Sequence, residues 1–160
     1  GPVVFPMGNW LQQFVADSDG GSFSAWTKMS GNVQSSFTQH ITSSGSLSWL
    51  GGVEFSTNSS AFRISPCLAV AENSQELMAV WNQSNSGQSQ RGVFAQRLDD
   101  NGNHLWGSNG VDVVPLNSNY VYYDLSAASF DEEIITSASV ASAIGANAFR
   151  LISSTSGTFS

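Results

Sequence analysis

Carboxylates and amides on glycine-containing turns are the side chains of this sequence best suited to hold a cation. Asp99-Asp100-Asn101-Gly102-Asn103 has that composition, and Asp17-Ser18-Asp19-Gly20 resembles it. A calcium loop of the helix–loop–helix type closes with a bidentate Glu at its twelfth position. Counted from Asp99, that position is Gly110. Both stretches therefore read as hairpin turns, and no metal or cofactor is expected. His40 and His104 fall at different places in a repeating pattern described below, which argues against a shared metal. Asp131-Glu132-Glu133 has the residue types of a glycosidase pair, but such pairs need a defined separation across a cleft. Three consecutive acids read more simply as a charged turn.

A different chemistry is offered by Tyr120-Val121-Tyr122-Tyr123, with Asn117 and Asn119 before it and Asp124 after it. Tyrosine rings stack on sugar faces while Asn and Asp supply hydrogen bonds. Tyr120, Tyr122, Tyr123 and Asp124 are accordingly the candidate ligand-binding residues. The competing reading makes these tyrosines the start of a strand packed between sheets. Cys67 is the single cysteine, so no intrachain disulfide forms. It follows Pro66 at the start of an apolar run and reads as a small buried hydrophobe. Asn58-Ser59-Ser60 and Asn82-Gln83-Ser84 fit the glycosylation sequon, a weak match in so serine-rich a chain. No phosphate loop, Gly-x-Ser-x-Gly elbow or His-Glu-x-x-His motif is present. No catalytic residue is expected.

The elements that position these residues repeat. In Arg91 to Val113, Phe94, Gln96 and Leu98 alternate with Val93, Ala95 and Arg97, the period of a strand. Asn101-Gly102 makes a tight turn, and Leu105-Trp106 and Gly110-Val111-Asp112-Val113 return. Fifty-seven positions earlier, Phe37-Thr38-Gln39-His40-Ile41, Gly45 and Trp49 hold the matching places, and Gly52-Val53 matches Gly110-Val111 at 58. Trp26 matches Trp81 at 55. A weaker third copy sets Arg150-Leu151 on Arg97-Leu98 and Gly157 on Gly102, with Ser137-Ala138-Ser139 where the others have tryptophan. Ser43-Ser44-Gly45-Ser46 occupies the turn equivalent to Asp99–Asn103 without any carboxylate. A period above about 40 residues built from short strands points to β-propeller blades rather than a helical solenoid.

Val93-Phe94-Ala95-Gln96-Arg97-Leu98-Asp99, Gly102-Asn103, Leu105-Trp106-Gly107 and Gly110-Val111 resemble the bacterial propeller repeat of the form YAQRLDxxGNxLWGxxGV, found in tandem in secreted and surface proteins. The second repeat fits closely, the first moderately and the third poorly. The resemblance covers most of residues 10–160. It implies an all-β fold of antiparallel four-stranded blades, an extracellular or cell-surface setting, and a non-catalytic recognition or scaffold role with a protein or glycan partner. Two rivals are a lectin-like propeller using the tyrosines and a hydrolase using the acids. One fold hosts many functions, so the resemblance carries architecture further than activity.

Composition bounds the rest. Hydrophobic residues make up 41% and five tryptophans are spread along the chain, so there is apolar surface to bury, although only 11% of residues are charged. The net charge is −7 with Lys28 as the single lysine, which leaves no basic footprint for nucleic acid. No segment approaches the ~18 apolar residues of a membrane span, so no membrane insertion is expected.

In order, Gly1-Pro2 reads as the remnant of a cleaved tag, and 3–160 as one domain with repeats at about 10–64, 65–122 and 123–160. Strands are expected at 10–17, 22–28, 35–42, 47–55, 67–72, 76–82, 92–99, 105–114, 124–129, 133–139 and 147–153. The stretch 131–146 admits a helix, but Ile134-Ile135 and its match to the second repeat favour a strand. Residues 56–64 and 115–123 read as long connections which, with 83–91, are expected to present ligands. Val3 to Pro6 resembles the end of a repeat, and the third repeat lacks that strand. Three blades are fewer than the about four to eight of a propeller. The expectation is a ring completed by a second copy, as a six-bladed homodimer, or a longer array.

Overall fold

The computed structural model describes residues 9–72, 74–142, 148–154 and 157–159. They form eleven strands and no helix: β1 (Asn9–Ala16), β2 (Ser22–Ser30), β3 (Val33–Ile41), β4 (Val53–Glu54), β5 (Phe62–Val70), β6 (Leu77–Ser84), β7 (Arg91–Leu98), β8 (Val111–Asn117), β9 (Tyr120–Phe130), β10 (Glu133–Ser142) and β11 (Ala148–Ser154). Each strand pairs antiparallel with its sequence neighbour inside one of three sheets: β1-β2-β3-β4, β5-β6-β7-β8 and β9-β10-β11. The expected all-β fold with four-stranded antiparallel sheets is what forms, and residues 133–142 are strand rather than helix. The described residues form no closed ring. The Val3–Pro6 strand expected to complete the third sheet lies outside them.

The second sheet is the middle layer. Its strand β6 is buried on both faces, which is why Leu77-Met78-Ala79-Val80-Trp81 is a continuous apolar run rather than an alternating one. Leu77, Ala79 and Trp81 join Phe23, Ala25, Trp49 and Phe55 of the first sheet in one core. Met78 and Val80 join Tyr122, Ile134 and Ala138 of the third sheet in the other. The Trp81 ring is fully buried and stacks on Phe55 at 5.8 Å.

The contacts between sheets recur. Gly102 of the second sheet lies against Trp49 and Val53 of the first, where an added Cβ would sit 3.2 Å from the indole. The Trp49 indole N–H donates to Asp100 O at 3.1 Å. Gly157, after the third sheet, lies against Trp106 of the second, where an added Cβ would sit 3.0 Å from the indole. Within the first and second sheets, Gly52 lies under Trp26 as Gly110 lies under Trp81. Glycine is required at these places because the backbone has positive φ and the ring leaves no room for a side chain.

The outer strands are shorter than expected. Residues 47–52 and 105–110 are turns, and only Val53–Glu54 and Val111–Asn117 pair as strand. Two glutamines explain this. Gln39 Oε1 accepts the Trp49 N–H at 3.0 Å, and its Nε2 donates to Trp49 O. Gln96 Oε1 accepts the Trp106 N–H at 3.0 Å, and its Nε2 donates to Gly107 O at 2.7 Å. The side chains take the partners that a strand would have used. The connections are also shorter. β5 begins at Phe62, inside the expected 56–64 loop. The expected 115–123 loop is replaced by the end of β8 and the start of β9. Asn117 Oδ1 accepts the N–H groups of Asn119 and Tyr120 at 3.1 and 2.9 Å, which turns the chain over in two residues.

Candidate functional site

The first strands of the three sheets, β1, β5 and β9, run beside one another. Each carries a bulge at the same height. In β1 the register slips between Leu11 and Gln13, beside Trp26. In β5, Ser65 and Pro66 together oppose Trp81. In β9, Asp124 and Leu125 together oppose Ala138, the position where the third repeat lacks its tryptophan. Pro66 is tolerated because β5 is an edge strand and the bulge needs no amide there. Ser65 and Asp124 have φ of 54° and 50°. Left-handed backbone at residues other than glycine costs energy and clusters at functional sites, as bulges do.

The bulges open a cleft of about 470 Å³ between the strands, lined by Gln13, Ser65, Cys67, Asp124 and Ser126 among others. Its volume falls in the range of small-molecule sites. Side chains lace its walls together. Gln13 Oε1 accepts the Leu68 N–H across the β1–β5 seam at 2.6 Å. The Cys67 thiol donates to Leu125 O across the β5–β9 seam at 2.9 Å. Burial pushes the Cys67 thiol up to about 11, so it stays protonated and serves as a donor rather than a nucleophile. It is half-buried, not fully enclosed. Asp124 is exposed and is the charged residue among those lining this cleft.

The four residues singled out by sequence do not form one surface. Tyr122 is buried in the core beside Ile134, and its hydroxyl accepts from Asn117 Nδ2 at 2.9 Å. With Val121 it also borders a second cleft of about 240 Å³ that includes Phe62, Gln88 and Arg91. Tyr120 is exposed, Tyr123 is half-buried, and Asp124 turns into the larger cleft through its bulge. All four belong to β9 rather than to a loop.

Other polar candidates are occupied by structure. Asp99 Oδ1 accepts the N–H groups of Asn101 and Asn103, and Oδ2 accepts Asn103 Nδ2 at 2.8 Å. The Asn103 side chain and backbone hydrogen bonds hold its carboxyl below the usual value. Glu132 pairs with Arg97 at 2.6 Å, and Arg97 also pairs with Glu76. The acidic turn thus fastens the third sheet to the second. His104 is half-buried rather than free at the surface, with Nε2 2.7 Å from Glu54 O in the first sheet. Among the described residues no cluster of His, Cys, Asp and Glu is arranged to hold a metal.

His40 is the position least legible in the sequence. Its Nε2 lies 2.8 Å from Asp17 Oδ2, and the Asp17 side chain is 2% exposed. Asp17 Oδ1 accepts the N–H groups of Asp19 and Gly21 at 3.0 and 2.6 Å. Burial alone would raise the Asp17 carboxyl, but the bonds from His40, Gly21 and Asp19 outweigh it and hold the group below its usual value. A depressed carboxylate stabilises the fold above its unfolded-state value, and that contribution disappears as the pH falls through the folded-state value. Below about pH 4, urea midpoints of the wild type should therefore fall more steeply than those of Asp17→Asn. Parallel acid limbs would mean that Asp17 titrates alike in both states.

Comparison with protein families and with curated proteins finds no match to this chain.

Proposed function

We propose that the chain is a non-catalytic recognition domain of the propeller type, with its three sheets as successive blades. The observation that carries this reading is the repetition of one contact. Trp49 lies on Gly102 between the first and second sheets, and Trp106 lies on Gly157 between the second and third. Gly45 holds the same place in the first sheet. It is exposed, and among the described residues nothing lies within 4 Å of a Cβ added there. Open space at a place that in the other two sheets is covered by a tryptophan supports a six-bladed ring closed by a second copy. The bulged first strands then face the ring axis, and the cleft around Asp124 meets a protein or glycan ligand. The resemblance of the repeats to those of secreted and surface bacterial proteins supports an extracellular setting.

Light scattering should give twice the 17.0 kDa mass of one chain; a monomer at all concentrations would retire the dimeric ring. On a glycan array the wild type should retain ligands that Asp124→Ala loses. Binding that is indifferent to Asp124→Ala would move recognition away from the inner cleft.

A further inference from the structure

The geometry points to Ser48 as an activated serine, acylated or phosphonylated through His40 and Asp17. Ser48 Oγ lies 3.2 Å from His40 Nδ1, and His40 Nε2 lies 2.8 Å from Asp17 Oδ2. A carboxylate can only accept, so in the neutral imidazole the proton sits on Nε2, which leaves Nδ1 as the acceptor facing the hydroxyl. Phe23 stacks under the imidazole at 4.4 Å with 21° between the planes and fixes its rotation. Nucleophile, base and orienting acid thus stand in the order of a serine triad, which is recognised by geometry rather than by sequence position. The acid is enclosed and held by two backbone amides, while Ser48 is exposed.

The second repeat keeps an ion pair at this place, Arg97 with Glu76 as His40 with Asp17, but neither the imidazole nor the serine. The places of His40 and Ser48 are taken in the second repeat by Arg97 and Leu105. Arg97 there pairs with Glu76 and Glu132 and activates nothing. Structural positions recur between the two repeats, as Gln39 and Gln96 do, whereas among the described residues a serine on an imidazole paired to a carboxylate is found at this place alone. The inference stands independently of the recognition role proposed above.

In the step, Ser48 Oγ attacks a carbonyl carbon or a phosphorus atom as its proton passes to His40 Nδ1. The bond to the leaving group breaks, and that group leaves with the proton returned by His40. The product is an ester of Ser48. The nearest amides are committed: Ser48 N–H donates to His40 O at 2.9 Å, and Trp49 N–H to Gln39 Oε1 at 3.0 Å. Without those donors for a developing oxyanion, the donors used must carry good leaving groups, such as aryl esters and fluorophosphonates.

The test treats the whole chain with a fluorophosphonate and follows intact mass and peptide maps. We expect a single adduct on Ser48, formed about a hundredfold faster than on a short peptide containing Ser-Trp-Leu-Gly. The adduct should be absent in Ser48→Ala and slowed at least about tenfold in His40→Gln. Labelling spread over the other serines, or a rate equal to that of the free peptide, would overturn the inference. The peptide comparison requires no variant to fold. A Ser48 adduct formed as fast in a folded His40→Gln as in the wild type would also overturn it.

Discussion

Gly110→Ala should lower the melting temperature by about 10 °C, whereas Gly107→Ala, three residues away, should lower it by about 3 °C. Both residues have positive φ, 72° and 75°, so both substitutions carry the left-handed penalty of about 1–2 kcal/mol. They differ in what the new methyl meets. At Gly107 no described residue lies within 4 Å. At Gly110 the Cβ would sit 2.8 Å from Trp81 Cη2 and closer still to Ala95 O. Trp81 is fully buried and clamped between Phe55 and Phe94, and Ala95 belongs to the central pairing of β7, so neither neighbour can give way. Overpacking of that kind adds about 1–3 kcal/mol. A calorimetric scan of the two variants measures the difference. Equal losses would mean that the Trp81 ring does not bear on the turn, and the recurrence of the glycine under Trp26 would lose its physical explanation.

What was legible in the sequence divides along the same line. Tryptophans and glycines that recur at fixed offsets mark contacts every sheet must make, and Trp49, Trp106, Gly102 and Gly157 could be aligned without coordinates. The strand period of 92–99 is equally readable, because successive side chains of a strand point to opposite faces of the sheet. The ends of strands were not. Whether 47–52 is strand or turn depends on which partners Gln39 takes, and a side chain that replaces a ladder leaves no periodic trace. The Ser65-Pro66 pair precedes the strand expected at 67–72, whereas β5 runs through it from Phe62 to Val70 with a bulge there. Its partner at Asp124-Leu125 has no proline, and in the sequence it reads as the edge of a tyrosine cluster instead. The joining of Asp17, His40 and Ser48 was out of reach, because pairing of β2 with both β1 and β3 is what carries Asp17 to His40 across 23 positions.

Arg63 was missed for a similar reason, and it carries the other large expected effect. Its side chain is 1% exposed. Nη1 donates to Ser56 O and Asn58 O at 2.6 and 2.7 Å, and Nη2 donates to Ser35 Oγ at 2.6 Å and Glu54 Oε1 at 2.5 Å. One guanidinium therefore gathers the connection between the first two sheets onto β3 and β4. Burial lowers its affinity for the proton, and the charge of Glu54 partly restores it. Arg63→Met should cost about 3–5 kcal/mol, because it removes a charge that satisfies several enclosed acceptors at once. Glu54→Gln should cost under about 1 kcal/mol, since the Glu54 side chain is one-third exposed and an amide oxygen can still accept. Arg63→Lys should recover little, because a single ammonium cannot span carbonyls and hydroxyl in the fixed fork that arginine provides. Urea midpoints for the three variants decide between two accounts. If Glu54→Gln were as damaging as Arg63→Met, the ion pair would be the fastening. If it is nearly silent, the fastening is the neutral carbonyls of Ser56 and Asn58, and the arginine is there for its geometry rather than its charge.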